Sequence, residues 1–113
     1  MKREAYIFFS DIVGYSKLVS KNENHALNLL SEHDIILKKY ILQKKGKIIK
    51  HIGDAIFAEF NNSEDLVNAS ILIQKNIKKR NDIYPINDQF QIRIGLHKGE
   101  VVEKDGDLFG NEV

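Results

Sequence analysis

Between Gly46 and Phe60 the chain carries two β-rich runs divided by one Gly-Asp pair, Gly53-Asp54. Glycine supplies the backbone freedom that a tight reversal needs, and Gly beside Asp, Asn or Ser is a two-residue hairpin signal. The pair therefore predicts an antiparallel hairpin with the Asp54 carboxylate at a strand end. Lys50 lies four residues earlier, on the incoming strand. Whether carboxylate and lysine are chemistry or turn punctuation depends on the rest of the chain.

Upstream, Ala5-Tyr6-Ile7-Phe8-Phe9 is wholly apolar, as expected of a strand buried on both faces. It is expected to stop at a polar turn, Ser10 to Ser16, which holds Asp11 and Gly14. From Asn24 to Lys44, the residues Ala26, Leu29, Leu30, His33, Ile36, Leu37, Tyr40 and Ile41 recur at three- and four-residue spacing, one face of a helix. Gly46 closes it, after lysines that suit a helix C-terminus. Beyond the hairpin, Asn61 to Asp65 offers cap residues followed by acidic ones, which opens a second helix bearing Leu66, Val67, Ser70, Ile71, Ile73 and Ile77.

Phe90 to Leu96 alternates apolar and polar residues, the mark of a strand with one buried face. His97-Lys98-Gly99 is expected to turn the chain into Glu100–Glu103, and Lys104-Asp105-Gly106 to lead into Asp107–Asn111. The order β-α-β-β-α-β-β predicts an α+β fold, a ferredoxin-like βαββαβ sandwich with an added β-hairpin and its helices on one face of the sheet. In that topology the first and third strands are neighbours. Such a fold assigns no function by itself.

Composition narrows the function classes. The 113 residues correspond to one small domain, and 17 basic against 16 acidic residues leave a formal charge of +1. That balance excludes a strong non-specific pull on nucleic acid or a membrane surface. No cysteine is present, which removes disulfides, thiolate metal sites and a cysteine nucleophile. No apolar run reaches the length of a membrane span, and the short run after Met1-Lys2-Arg3-Glu4 is too brief for a signal peptide, so the expected location is cytoplasmic. The histidines His25, His33, His51 and His97 show no metal-ligand spacing, and His33 falls on the apolar helix face as a core residue.

Taken singly, Asp11 and Asp54 are ordinary turn or cap aspartates. With the first and third strands adjacent, however, the end of one meets the start of the other and the two carboxylates converge. Beside a loop whose backbone amides face a helix N-terminus, such a pair can hold magnesium and the phosphates it binds. Arg93, on the strand face opposite Ile92 and Ile94, is either a solvated arginine or a guanidinium suited to grip a polyphosphate. Lys50 and Asp107 alone read as a solvated lysine and a turn aspartate.

Four segments together carry a family resemblance: Phe9-Ser10-Asp11-Ile12-Val13-Gly14-Tyr15-Ser16, Lys50-His51-Ile52-Gly53-Asp54, Ile92-Arg93-Ile94-Gly95-Leu96-His97-Lys98-Gly99 and Asp107-Leu108-Phe109-Gly110-Asn111-Glu112-Val113. In this order and spacing they resemble the consecutive motifs of the class III adenylate/guanylate cyclase catalytic domain, over nearly the whole chain.

The resemblance implies that Asp11 and Asp54, with the backbone of Ile12, hold two Mg²⁺ or Mn²⁺ ions. It implies that the loop Ile12, Val13, Gly14, Tyr15 and Ser16 wraps the triphosphate of ATP, and that Arg93 contacts a phosphate. Lys50 and Asp107 would read the purine, a pair that favours ATP over GTP because guanylate cyclases typically carry Glu and a small residue there. The implied activity is that of a phosphorus-oxygen lyase, conversion of ATP to 3′,5′-cyclic AMP and pyrophosphate in signal transduction. Active sites in the family form between two catalytic domains in a head-to-tail dimer, so the implied partner is a second cyclase domain.

In the family an asparagine follows the position of Val113, an arginine comes one helical turn later and a phosphate-binding lysine further on. Residues 1–113 are therefore expected to be one incomplete cyclase domain, nearly inactive alone, with apolar surface or a sheet edge uncovered. The alternative within the fold is a non-catalytic cyclase-like module that senses nucleotide or dimerises. A ferredoxin-like RNA-binding domain is disfavoured by the near-neutral charge and the lack of a basic-aromatic strand platform. Ile52-Gly53-Asp54-Ala55-Ile56 also lacks the Gly-Gly-Asp/Glu-Glu-Phe signature of a diguanylate cyclase.

Overall fold

A computed structural model describes residues 2–109. The elements run β1 (Lys2–Ile12), α1 (Tyr15–Lys21), α2 (Glu23–Gln43), β2 (Lys47–Ile52), β3 (Ala55–Phe60), α3 (Ser63–Asp82), a short 3-10 turn (Ile86–Asp88), β4 (Ile92–Lys104) and β5 (Asp107–Phe109). The strands form one antiparallel sheet in the order β2-β3-β1-β4-β5. The first four strands, in the order β2-β3-β1-β4, are the ferredoxin-like arrangement, with β1 and β3 side by side, and β5 is the added edge.

The helices cover one face because their apolar stripes match that of the sheet. Leu29, His33, Leu37 and Ile41 of α2 and Leu66, Ala69, Ile73 and Ile77 of α3 are buried, most of them packing with Phe8, Ile12, Ile56, Ala58 and Phe60 in one core. Each large aliphatic or aromatic side chain so buried contributes roughly 1.5–3 kcal/mol. Asn62 caps α3, its Oδ1 accepting from the Asp65 amide at 2.8 Å, where the cap residues predicted it.

At the end of α2 the left-handed residue is Lys45 (φ 63), and the Gly46 amide donates to the Ile41 carbonyl at 2.8 Å. Glycine is required at 46 for space: a Cβ there would stand 2.6 Å from the Phe60 ring and 2.8 Å from Ile41.

Three expected boundaries move. β1 extends to Ile12, so Asp11 lies on the strand and not in a turn, because β1 pairs with β4 in register from Lys2↔Val102 to Ile12↔Ile92. The loop after it shrinks to Val13-Gly14, and Tyr15 and Ser16 open the separate helix α1. His97-Lys98-Gly99 makes no turn: β4 is one continuous strand through these residues, which pair with Ile7, Tyr6 and Ala5.

The sheet does not stay open. β2 and β5 are its opposite edges, about 19 Å apart in a flat sheet of five strands, yet the side chains of Lys50 on β2 and Asp107 on β5 meet at 3.0 Å. The sheet curls away from the helices to bring them together, and a second, smaller core of Ala5, Ile7, Val101 and Leu108, with Ile49 against it, fills the inside of the curl.

Along Ile92–Val101, β4 has β1 on one side and no pairing strand on the other among the described residues. Beside it Val67, Ile71, Ile94 and Leu96 line a groove of about 380 Å³, in which Val67, Ile71 and Leu96 are exposed. No helix among the described residues is long and apolar enough to cross a membrane.

Candidate active site

Asp54 sits at the tip of the β2–β3 hairpin, where Gly53 takes the left-handed conformation (φ 58) that the two-residue turn demands. Its Oδ2 accepts a hydrogen bond from the Ile12 amide at 2.7 Å, which ties the hairpin tip to the last residue of β1. Asp11, one residue earlier, points to the face away from the helices, as alternation from Ile7 and Phe9 requires. Directly across the sheet, Arg93 grips it with two hydrogen bonds, Nε to Oδ1 at 2.9 Å and an Nη to Oδ2 at 3.0 Å. The hydrogen bond and charge of Asp11, with a further contribution from the charge of Asp54, hold the Arg93 guanidinium above its ordinary pKa. Asp11 and Asp54 thus lie at neighbouring strand ends, where the sequence placed them, and Arg93, left open between a solvated arginine and a phosphate grip, stands over Asp11.

The short loop beside them is held on both sides. The Val13 amide donates to the Gln91 carbonyl at 2.9 Å, and Gly14, left-handed at φ 71, starts α1. Of the five residues expected to offer amides to phosphate, Ile12 and Val13 already spend theirs on Asp54 and Gln91. Gly14, Tyr15 and Ser16 are left. Burial, followed by the charges of Asp54, Asp34 and Glu23, pushes the Tyr15 phenol up, so it stays protonated near neutrality.

Among the described residues no group of three or more His, Asp or Glu side chains comes together as a metal site. What the strand ends offer is two carboxylates, Asp54 against the Ile12 amide and Asp11 under Arg93. That donor set is hard and oxygen-only. It fits Mg²⁺ or Mn²⁺, which are commonly held by one or two carboxylates with substrate phosphates and water completing the shell.

Lys50 and Asp107 form a separate group. The Lys50 Nζ lies 3.0 and 3.2 Å from the two Asp107 oxygens and 5.3 Å from the centre of the Phe57 ring, while the Leu108 amide donates to Asp107 Oδ1 at 2.8 Å. The Lys50 hydrogen bond first, and the Leu108 amide second, hold the Asp107 carboxyl below the usual carboxylate range. The cavity beneath, lined by Ile7, Ile49, Phe57 and Leu108 among others, holds about 10 Å³. That is room for one water, so a base would have to meet the pair from the surface.

Phe57 is the residue the sequence reading passed over. A two-residue turn at Gly53-Asp54 pairs Ile52 with Ala55 and hence Lys50 with Phe57, and Phe57 in turn faces Phe9 with ring centres 4.9 Å apart. The remainder of the last motif, Gly110 to Val113, lies outside the described residues.

A family model described as the adenylate and guanylate cyclase catalytic domain matches residues 1–113. An adenylate cyclase of Anabaena cylindrica is 32% identical over 109 residues, covering 88% of this chain and 22% of that protein. An adenylate cyclase of Streptomyces coelicolor is 22% identical, over 98% of this chain and 28% of its own length. The chain spans 13% to 28% of the length of the curated relatives it matches.

Among solved structures, an adenylate/guanylate cyclase/hydrolase from Silicibacter pomeroyi superimposes with a TM-score of 0.89 at 31% identity, covering 98% of this chain and 65% of that one. A bacterial light-regulated adenylyl cyclase gives a TM-score of 0.89 at 25% identity, covering 100% and 66%. A dimeric guanylyl cyclase domain from Blastocladiella emersonii, at 21% identity and a TM-score of 0.74, shares the fold.

Proposed function

Because the chain belongs to the adenylate and guanylate cyclase catalytic-domain family, we propose that it is the metal-, phosphate- and purine-binding part of an adenylate cyclase, which converts ATP to 3′,5′-cyclic AMP and pyrophosphate. The observation that carries this reading is the Asp54–Ile12 hydrogen bond, because it sets a second carboxylate beside Asp11 at the end of β1.

In this reading Asp11, Asp54 and the Ile12 carbonyl hold two divalent cations, Mg²⁺ or Mn²⁺. When bound, these supply positive charge that makes the ribose 3′-hydroxyl more acidic and offsets charge on the phosphates. Gly14, Tyr15 and Ser16 turn their backbone toward the triphosphate, and Arg93 donates to a phosphate oxygen. The 3′-oxygen attacks the α-phosphorus as its proton passes to water, the bond from the α-phosphorus to the α,β-bridging oxygen breaks, and pyrophosphate leaves with that oxygen. No side-chain nucleophile takes part. A positioned donor of the Arg93 kind is worth roughly 10²–10³ in rate.

Lys50 and Asp107 choose the base. Adenine presents an acceptor at ring N1 and a donor at its 6-amino group, which matches one ammonium and one carboxylate held side by side. That the two groups sit apart within one chain supports a head-to-tail pair of domains, in which the metal side of one faces the purine side of the other. The function is tested by binding of Mn²⁺-ATP to the full chain. Asp54→Asn is expected to remove the Mn²⁺ dependence, and unchanged binding would return Asp54 to a turn residue.

A further inference from the structure

The bidentate contact between Arg93 and Asp11 has an implication for how ligands enter. Both carboxylate oxygens of Asp11 are engaged by one planar guanidinium, at 2.9 and 3.0 Å. This is the fork geometry that makes Arg a better carboxylate partner than Lys. The two residues are direct partners in the β1–β4 register, so the contact needs no backbone rearrangement to form. The Arg93 side chain is 71% exposed, against 23% for Asp11. The guanidinium therefore lies on the solvent side, over a more buried carboxylate, with open solvent to swing into once its two hydrogen bonds are given up.

We propose that Arg93 is a placeholder for the cation: it neutralises Asp11 while no metal is bound, is displaced when a divalent ion takes the Asp11 oxygens, and only then is free to grip phosphate. The inference rests on the metal reading of Asp11 and Asp54. It adds an order to it, cation first and phosphate second. It also gives one side chain two successive partners, because a guanidinium committed to both Asp11 oxygens has its fork turned away from a phosphate. The charge of Asp54 reaches the same guanidinium, so the resting site holds one cationic group against two carboxylates. It keeps a net pull on a divalent ion.

The experiment is done on the full chain without nucleotide. In the wild type, Mg²⁺ is titrated while the Arg93 Nε–H resonance is followed by NMR, assigned by its loss in Arg93→Lys. The signal is expected to shift with the same midpoint as cation binding measured by calorimetry. In parallel, Mn²⁺ affinity is measured for wild type, Arg93→Ala, Arg93→Lys and Asp54→Asn. Arg93→Ala and Arg93→Lys should both bind Mn²⁺ more tightly, by roughly two- to fivefold, the scale of an exposed ion pair released.

An unmoved Nε–H signal at saturating Mg²⁺, or unchanged Mn²⁺ affinity in Arg93→Ala, overturns the placeholder. A gain in Arg93→Ala alone assigns the effect to net charge and overturns it as well. If the wild type binds no Mn²⁺, or binds it equally well as Asp54→Asn, the metal reading itself fails and the placeholder falls with it.

Discussion

Asp54 and Ile12 are 42 residues apart in the chain and 2.7 Å apart in space, the hairpin-tip carboxylate accepting from the last amide of β1. One hydrogen bond therefore does two things. It satisfies an amide at the end of a strand, and it fixes where a second negative charge stands relative to Asp11.

Asp54→Ala removes the acceptor and the charge together, whereas Asp54→Asn keeps an oxygen for the Ile12 amide. The alanine variant should lose about 1–3 kcal/mol of stability and the asparagine variant less, while both lose Mn²⁺-dependent ATP binding. Denaturant titration beside calorimetry checks the split. Equal stability of the two would show that the hydrogen bond contributes nothing.

Lys50 and Asp107 should govern the base and leave the phosphates alone. Changing Lys50→Glu together with Asp107→Ser is expected to move the binding preference from ATP toward GTP by roughly tenfold, because the hydrogen-bond pattern offered to the base is reversed. Inorganic triphosphate should bind the double variant and the wild type alike. Competition between the two nucleotides for the Mn²⁺-loaded chain is the readout.

His33 gives the fold a pH dependence. It is fully buried, its Nδ1 lies 2.8 Å from Asp34 Oδ1, its ring stands edge-on to Phe90, and its Nε2 has no hydrogen-bond partner among the described residues. Burial first lowers its pKa, only partly opposed by Asp34 and by the charge of Asp54, while His51 adds to the lowering. The unfolded chain then binds more protons than the folded one below about pH 6.5. Stability is complete above that pH and falls as the pH drops toward the lowered folded value. Urea midpoints at pH 7.5 and 5.5 should differ more in the wild type than in His33→Leu, which cannot titrate there.

Gly46→Ala is expected to be costly although the position is not left-handed. The new methyl would meet the Phe60 ring at 2.6 Å and Ile41 at 2.8 Å, both in the main core. Overpacking of this kind costs about 1–3 kcal/mol. A thermal midpoint within a degree of the wild type would mean that Phe60 moves aside freely.

Much of this was legible locally. The Gly53-Asp54 turn sets the β2–β3 register near the tip, and the α2 and α3 stripes name most of the helical core, because both depend on neighbours within a few residues. The proximity of Asp11 and Asp54 followed from strand order alone. What escaped depends on distant pairing. His97-Lys98-Gly99 has the composition of a turn, but β1 offers eleven residues of partner strand and holds β4 straight through it. A Cβ at Gly99 would stand 2.5 Å from the His97 ring, so the imidazole lies over the glycine and would have to turn aside for any larger residue. The Asp11–Arg93 fork is set by a register 82 residues long in sequence, which no local pattern encodes.

Lys50 and Asp107 meet only because the two edges of the sheet are drawn together. Curvature is then a quantity that a ligand can feel. A base held by both side chains resists flattening of the sheet. Any force that straightens β4 would weaken the grip on that base without touching either residue. Replacing Val101 inside the curl should therefore act on nucleotide affinity from a distance, as loosening a hinge pin alters the closure of a clasp.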